Sequence, residues 1–442
     1  MTLEATDLPV MRLPSTDAPA DAAGSADLAA LARATDTRFI LAVFTNLAGK
    51  PCAKLVPVEA VDELQSDGVG FAGYAAGAMG QVPRDPDLVA IPDPTSFTPI
   101  PFVRPGLALV HCDPHVEGKP WPYAPRVILK EVLGKAAERG LSVKVGAEIE
   151  YFLVQRDEDG TLRTADVLDT SRQPCYDARD VTRMYEHLTS ISAAMNSLGW
   201  GNYANDHEDG NGQFEQNFQY ADAMTTADRV VTLRSLISVL AEQRGMTATF
   251  MPKPFADRTG SGMHMHLSLW REDGSAFPDA EDPRGLGLSE TAYAFIAGIL
   301  DHACALQGVI APTVNSYKRT GATATSSGAT WSPRHATYRG PDRTHSRRAP
   351  DGNRVDLRDR KLDPGAPGGT PNSETLPMTL LHAMDALTAD PVVTGALDAA
   401  GPGVAEYFAS LKREEFFHWH NTVTPWAVDG ELDAVFGARS VP

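Results

Sequence analysis

Patterning of apolar and polar positions divides the chain before any chemistry is considered. Phe39 to Phe44 and Cys52 to Val56 read as short strands around a turn at Asn46 to Gly49, so residues 36–115 form a small strand-rich domain. Pro114, Pro120, Pro122 and Pro125 mark a linker. After it, Arg126 to Arg139 has helical spacing at Ile128, Val132, Leu133 and Ala136 and stops at Gly140, which opens a second domain over 123–442. Inside that domain, helices expected over 181–198, 227–243 and 289–306 alternate with stretches of period two, an α+β pattern. Residues 1–30, dominated by Ala, Asp and Pro, read as a disordered tail without the basic start and apolar stretch of a secretory signal. Residues 348–375 form a long polar loop system rich in Arg, Asp, Gly and Pro.

The chemistry sits on strand faces. From Val143 to Leu153, Val143, Val145, Ala147, Ile149 and Tyr151 share one face and Lys144, Gly146, Glu148 and Glu150 the other. Two neighbouring carboxylates repel unless a cation or an ion pair holds them, although an exposed acidic strand face would look the same. The geometry recurs. Glu215 lies on the polar face of Gln213 to Tyr220, with Glu208 just upstream across Asp209 to Gly212. In Gly262 to Trp270, His264, His266 and Ser268 oppose Met263, Met265, Leu267 and Leu269, and Arg354, Asp356 and Arg358 oppose Val355 and Leu357. A His-x-His pair alone fits either zinc or a satisfied pair of imidazoles. The excess of carboxylates favours hard cations such as Mg²⁺ or Mn²⁺, which stabilise phosphoryl transfer from a nucleotide.

Charge and composition narrow the field. The 442 residues carry 39 Lys plus Arg against 57 Asp plus Glu, a net charge of −18 that repels a phosphate backbone and excludes generic nucleic-acid binding. No apolar run approaches the ~18 residues of a membrane span. Four separated cysteines suggest reduced thiols in a cytoplasmic protein. Within this acidic chain, Lys318, Arg319, Arg334, Arg339, Arg343, Arg347, Arg348, Arg354, Arg358 and Arg360 form a local basic cluster. Guanidinium groups bind phosphates and carboxylates bidentately, so ATP and an amino-acid carboxylate suit it; salt bridges between subunits are the alternative. There is no P-loop. Gly68 to Gly73 has the G-x-G-x-x-G spacing but follows the helical-looking Val61 to Gln65, so a Rossmann site is rejected.

In order, Gly146-Ala-Glu148-Ile-Glu150-Tyr-Phe, His207-Glu208 to Gly212-Gln213-Phe-Glu215, Ala248-Thr-Phe-Met-Pro-Lys-Pro254, Gly260-Ser-Gly-Met-His264, Asn315-Ser-Tyr-Lys-Arg319 and Arg354-Val-Asp-Leu-Arg358 resemble the signature blocks of the glutamine synthetase family. The resemblance implies a small β-grasp domain plus a catalytic domain whose curved antiparallel sheet is flanked by helices. It also implies ATP-dependent amide formation at the γ-carboxylate of L-glutamate, with two or three divalent ions per site. The family's hexameric rings stack in pairs into a dodecamer, each amino-terminal domain completing its neighbour's site. By position, Glu150, Glu208 and Glu215 correspond to ligands of one metal, and Glu148, His264 and Asp356 to those of the other. Gly260, Arg319 and Arg358 correspond to glutamate contacts, Arg343 and Arg348 to groups neutralising the transferring phosphate, and His266 and Ser268 to nucleotide contacts, with Arg354 beside the ATP. Arg319, Arg343 and Arg358 are thus the expected catalytic arginines.

Departures from the pattern carry information. Asp356 stands where the family has Glu, Thr259 where it has Asn, and the segment after Arg358 is shortened. The adenylylated loop of some members is not recognisable. The ammonium pocket loses both acidic groups: the F-D-G-S-S block reads Phe71-Ala72-Gly73-Tyr74-Ala75, and the loop Glu is Thr325. Ala72 and Thr325 leave room for a methyl group, whose burial is worth ~0.8 kcal/mol. The pattern is similar to that of the family's methylamine-using branch, with ethylamine a further substrate. Ammonia or a polyamine as nucleophile, and a non-catalytic sensor, are the rival expectations.

Overall fold

The computed structural model describes residues 26–320, the strand pair 355–356 and residues 376–424. Helix α1 (Leu28–Ala34) precedes strands β1 (Phe39–Thr45) and β2 (Pro51–Pro57), helix α2 (Val61–Asp67), β3 (Val69–Phe71), helix α3 (Gly73–Ala76), β4 (Leu88–Pro92), β5 (Thr98–Pro99), β6 (Leu107–Val116) and β7 (Lys119–Pro120). These strands form one sheet in the order β2-β1-β6-β4-β3, with β5 and β7 also on β6. β1 and β6 run parallel and β1 and β2 antiparallel. Residues 26–30 differ from the expected tail. Asp27 caps α1 by accepting from Ala29 N, and Leu28 is fully buried in the core of the first sheet with Ile40 and Leu64, so burial of this apolar turn draws the chain into the domain. Gly68 to Gly73 follows α2 and includes β3, which agrees with rejecting a dinucleotide fold.

The second domain begins with α4 (Pro125–Ala137) and the long strand β8 (Ser142–Arg156), then β9 (Leu162–Thr164), α5 (Ala178–Arg183), α6 (Tyr185–Ser197), β10 (Asn202–His207), β11 (Gln213–Phe218), β12 (Ala221–Asp222), α7 (Ala223–Glu242), β13 (Thr247–Thr249), β14 (Met263–Arg271) and β15 (Gly274–Ser275). Helices α8 (Glu290–Asp301), α9 (Ala303–Ile310) and α10 (Ser316–Thr320), strand β16 (Val355–Asp356) and helices α11 (Leu380–Ala389), α12 (Pro391–Leu397) and α13 (Val404–His420) complete it. Its sheet has the order β10-β11-β8-β14-β15, with β9, β12 and β13 also on β8, β16 on β14, and every described pairing antiparallel.

The helix expected over 289–306 is two helices meeting at 74° around His302. Each half buries its apolar side in a different cluster: Ala292 and Ile296 pack with Phe277 and Leu269, whereas Ala305 packs with Leu380, Met384 and Leu387. His302 Nδ1 sits 2.6 Å from Asp390 Oδ2 and ties the bend to the start of α12. Among the described residues no single helix is long and apolar enough to cross a membrane.

Dispersed charges join the two domains. Arg126 on α4 donates to Asp93 (2.8 Å) and Asp113 (2.6 Å) of the first domain and to Asp228 of α7 (3.0 Å), and Lys130 reaches the same two first-domain carboxylates. Nearby, the buried His111 Nε2 is 3.0 Å from Thr232 Oγ1.

Candidate metal and substrate site

β8 organises the site. Its residues Ala147, Ile149, Tyr151 and Leu153 are buried against Leu188, Ile191 and Met195 of α6 and Leu233, Leu236 and Ile237 of α7, which turns Glu148 and Glu150 to the other face. The antiparallel register then gathers groups distant in sequence. Glu215 lies opposite Glu150, His264 opposite Glu148, His266 opposite Gly146, and the backbone of Asp356 opposite His266. Glu208 follows β10 directly, and one carboxylate oxygen each from Glu150, Glu208 and Glu215 lie within 4.8 Å of one another.

Glu150 and Glu215 are only 7% and 6% exposed, so these carboxylates meet where water screens them little. Burial first, and then the charges of Glu148, Glu208 and Glu150, push Glu215 up to about 9. Burial and the charge of Glu150 push Glu208 up to about 7. Such a nest must take up protons or a cation. The imidazoles interleave with it: His264 Nε2 is 3.0 Å from Glu150 Oε1, and His266 Nε2 is 2.9 Å from Glu148 Oε1. An oxygen-rich donor set with an imidazole fits hard divalent cations.

The second oxygen of Glu150 is fixed. It accepts from Gln213 Nε2 (3.0 Å) and Gly262 N (2.9 Å). The amide of fully buried Gln213 is oriented in turn by Gly210 N, which donates to its Oε1 at 3.0 Å. A Cβ on Gly262 would stand 3.2 Å from Glu150 Oε1 and 3.4 Å from the His264 ring, so a side chain there would press the Glu150 carboxylate out of place by a few tenths of an ångström.

Gly260 and Arg319, 59 positions apart, are neighbours. A Cβ on Gly260 would lie 2.3 Å from Pro252 O and 2.8 Å from Arg319 Cγ, and Arg319 Nη1 donates to Ser261 O at 3.2 Å. The two segments are stitched by Asn315, whose amide accepts from Lys253 N (2.8 Å) and donates to Lys253 O (3.0 Å). Further along β14, Ser268 Oγ accepts from Trp270 Nε1 at 2.9 Å, and the Lys144 ammonium stands 4.7 Å from the Trp270 ring. Ala72 is exposed at the start of α3 in the first domain. Thr325, Arg343, Arg348, Arg354 and Arg358, with Arg334, Arg339, Arg347 and Arg360, lie outside the described residues, and Asp356 is described by its backbone alone.

Reading the sequence missed Gln213 as a support for Glu150, and it missed Tyr176. Tyr176 has a left-handed backbone (φ 63°), an uncommon conformation for a bulky residue, and its N donates to His207 O at 2.9 Å. Burial foremost, with Cys175, Glu208, Asp206 and Glu215 nearby, pushes its phenol up to about 12. No periodicity marks this loop. Only the Pro174-Cys175-Tyr176-Asp177 turn could have drawn attention to it.

A carboxylate and imidazole face on an antiparallel sheet, beside an arginine and a glycine-rich loop and joined to a small strand-rich domain, is the arrangement expected of the ATP-dependent carbon–nitrogen ligases that the sequence blocks resemble. The family model for the glutamine synthetase catalytic domain matches residues 122–366. A glutamine synthetase of Rhizobium leguminosarum bv. phaseoli is 39% identical over 92% of this chain and 99% of its own length. A glutamate–methylamine ligase of Methyloversatilis universalis is 36% identical over 90% and 96%. A solved structure described as "GmaS/ADP complex-Conformation 1" superposes with a TM-score of 0.81 at 40% identity, over 92% of this chain and 100% of that one. The chain belongs to the glutamine synthetase family.

Proposed function

We propose that this chain is a glutamate–methylamine ligase, a γ-glutamylmethylamide synthetase: it joins methylamine, or ethylamine, to the γ-carboxylate of L-glutamate at the expense of ATP. The observation that carries the reading is the buried carboxylate cluster on the β8 face beside Gly260 and Arg319. Glu150, Glu208 and Glu215 would hold one divalent cation and Glu148, His264 and Asp356 another, Mg²⁺ or Mn²⁺, two or three per site. Bound there, such ions supply charge neutralisation for the triphosphate and the carboxylate it meets.

The chain's own groups do the rest. Arg319, Gly260 and Arg358 bind glutamate, while His266, Ser268 and Arg354 contact the nucleotide. Arg343 and Arg348 spread the charge of the phosphoryl group as it passes from ATP to the γ-carboxylate. The neutral amine nitrogen attacks the acyl phosphate carbonyl, the C–O bond to phosphate breaks, the proton shed by the nitrogen passes to the departing phosphate or to water, and γ-glutamylmethylamide, ADP and phosphate leave. Where the family places acids for ammonium, Ala72 and Thr325 leave apolar space for the methyl group, and desolvation there favours the neutral amine. Ala72, exposed on the first domain, would meet the amine across a subunit boundary in a ring, here a dodecamer. The four cysteines are free thiols, in keeping with work in a reducing cytoplasm.

Initial rates with ammonium, methylamine, ethylamine and putrescine at saturating ATP and glutamate test the amine. We expect methylamine to exceed ammonium about 4-fold or more in kcat/KM, the factor that ~0.8 kcal/mol for one buried methyl group represents. Ammonium as the best substrate would instead make the chain a glutamine synthetase, the reading that the Rhizobium relative favours.

A further inference from the structure

The turn that carries Glu208 is clamped from behind by residues outside the site. His207, fully buried at the end of β10, has both ring nitrogens engaged: Nδ1 is 2.8 Å from the Glu208 carbonyl oxygen, and Nε2 is 2.8 Å from Asp169 Oδ2. The ring thus bridges the Glu208 main chain and the Asp169 carboxylate, tying the two segments together. Asp169, in the loop after β9, is itself buried. Its carboxylate also accepts from Asn211 Nδ2 at 2.8 Å and from Gly212 N. Asn211 Nδ2 donates to Ser171 O as well, at 3.0 Å. One side chain thus grips both ends of the turn 208–212.

Asp169, Asp180 and His207 also bring potential ligand atoms within 4.8 Å of one another. They do not make a second metal site. Three N–H donors already occupy Asp169, and the Arg183 guanidinium pairs with Asp180 and, at 2.6 Å, with Asp166. Of the ligand atoms of these three side chains only Asp180 Oδ2 lacks a hydrogen-bond partner, 3.9 Å from His207 Nε2, and a single spare oxygen leaves the network the task of holding shape.

We propose that Asp169 is a positioning residue for the metal centre, fixing the Glu208 carboxylate through His207 at one end of the turn and through Asn211 and Gly212 at the other. The inference rests on Glu208 being a cation ligand. Supporting groups of this kind typically change metal affinity about 10–100-fold when removed. Asp169→Asn keeps the shape but replaces one oxygen with an NH2 group, so the side chain can no longer accept at both oxygens and must release either His207 and Gly212 or Asn211. Asn211→Ala removes one strut only.

Mn²⁺ titration of the metal-free protein, followed by the electron paramagnetic resonance of free Mn²⁺, reads the effect without turnover. Glu208→Gln serves as the reference. We expect Glu208→Gln and Asp169→Asn each to weaken at least one Mn²⁺ site by about 10-fold or more, and Asn211→Ala by a few-fold. In activity assays, Asp169→Asn should raise the Mn²⁺ concentration for half-activation and leave the glutamate KM unchanged once metal saturates. If Asp169→Asn does not fold, Asn211→Ala decides. Wild-type Mn²⁺ affinity in the folded Asp169 and Asn211 variants alongside a weakened Glu208→Gln overturns the positioning role. Wild-type affinity in Glu208→Gln overturns the ligand assignment on which it rests.

Discussion

Removing the Arg126 side chain should loosen the hold between the two domains, and the cost can be worked from the contacts. Arg126 meets Asp93, Asp113 and Asp228 at 2.6–3.0 Å, and its side chain is 9% exposed. At charge separations near 4 Å and an effective dielectric of ~20, each pair attracts by roughly 4 kcal/mol, and taking the ions out of water returns several kcal/mol of that. Truncation to alanine leaves three half-buried carboxylates facing one another with Lys130, which touches only two of them, so we expect a loss of about 3 kcal/mol at pH 7. Arg126→Lys keeps the charge but not the fork, and should lose less.

The pH dependence is specific. Burial opposes ionisation of Asp93, but Arg126 prevails and depresses its carboxyl well below the usual carboxylate range, so its contribution to stability is present above the unfolded pKa near 3.8 and is lost as pH falls through the depressed value. Without Arg126, burial and mutual repulsion favour protonation, and the gap between variant and wild type should narrow from pH 7 towards pH 4.5. Urea unfolding followed by tryptophan fluorescence at both pH values measures this. A deficit below about 1 kcal/mol at pH 7, or one of equal size at both pH values, would refute the reasoning.

Two other perturbations probe the site. Gly260→Ala places a Cβ 2.3 Å from Pro252 O and 2.8 Å from Arg319 Cγ, so loop and guanidinium must separate; glutamate KM should rise about 10-fold or more with ATP KM changed far less, as steady-state kinetics would show. Removing metal with EDTA should expose the carboxylate repulsion. Because Glu215 is raised to about 9 and Glu208 to about 7, the folded protein holds protons that the unfolded chain has released above pH ~4.5, and the melting temperature of the metal-free protein should fall as pH rises from 6 to 9. Saturating Mg²⁺ should remove most of that slope by displacing the protons, and identical slopes with and without Mg²⁺ would contradict the cluster's role.

Much of this architecture is legible in the sequence where a period carries it. The face of β8 follows from strict alternation, and the same rule places Glu215, His264 and His266 on polar faces of their strands. The order in which those strands pair is not contained in any period; it emerges from the sheet, and with it the proximity of Glu150 to Glu215. The bend at His302 is invisible because apolar residues continue through it, and only the two destinations of the helix halves reveal why the chain turns. Asp169 and Arg126 are illegible for another reason. Their partners lie far off in sequence, 38 residues for His207 and 102 for Asp228, and an isolated charge has no pattern until folding supplies its counterpart.

Over residues 147–153 both sides of β8 are committed, one to helices α6 and α7 and the other to the carboxylate nest. That leaves this stretch little mutational latitude, since a change there disturbs either the core or the carboxylate cluster. On the proposed assignment of Ala72 to the amine pocket, the choice of nucleophile is set from a separate domain, where a residue can vary without disturbing the β8 carboxylates.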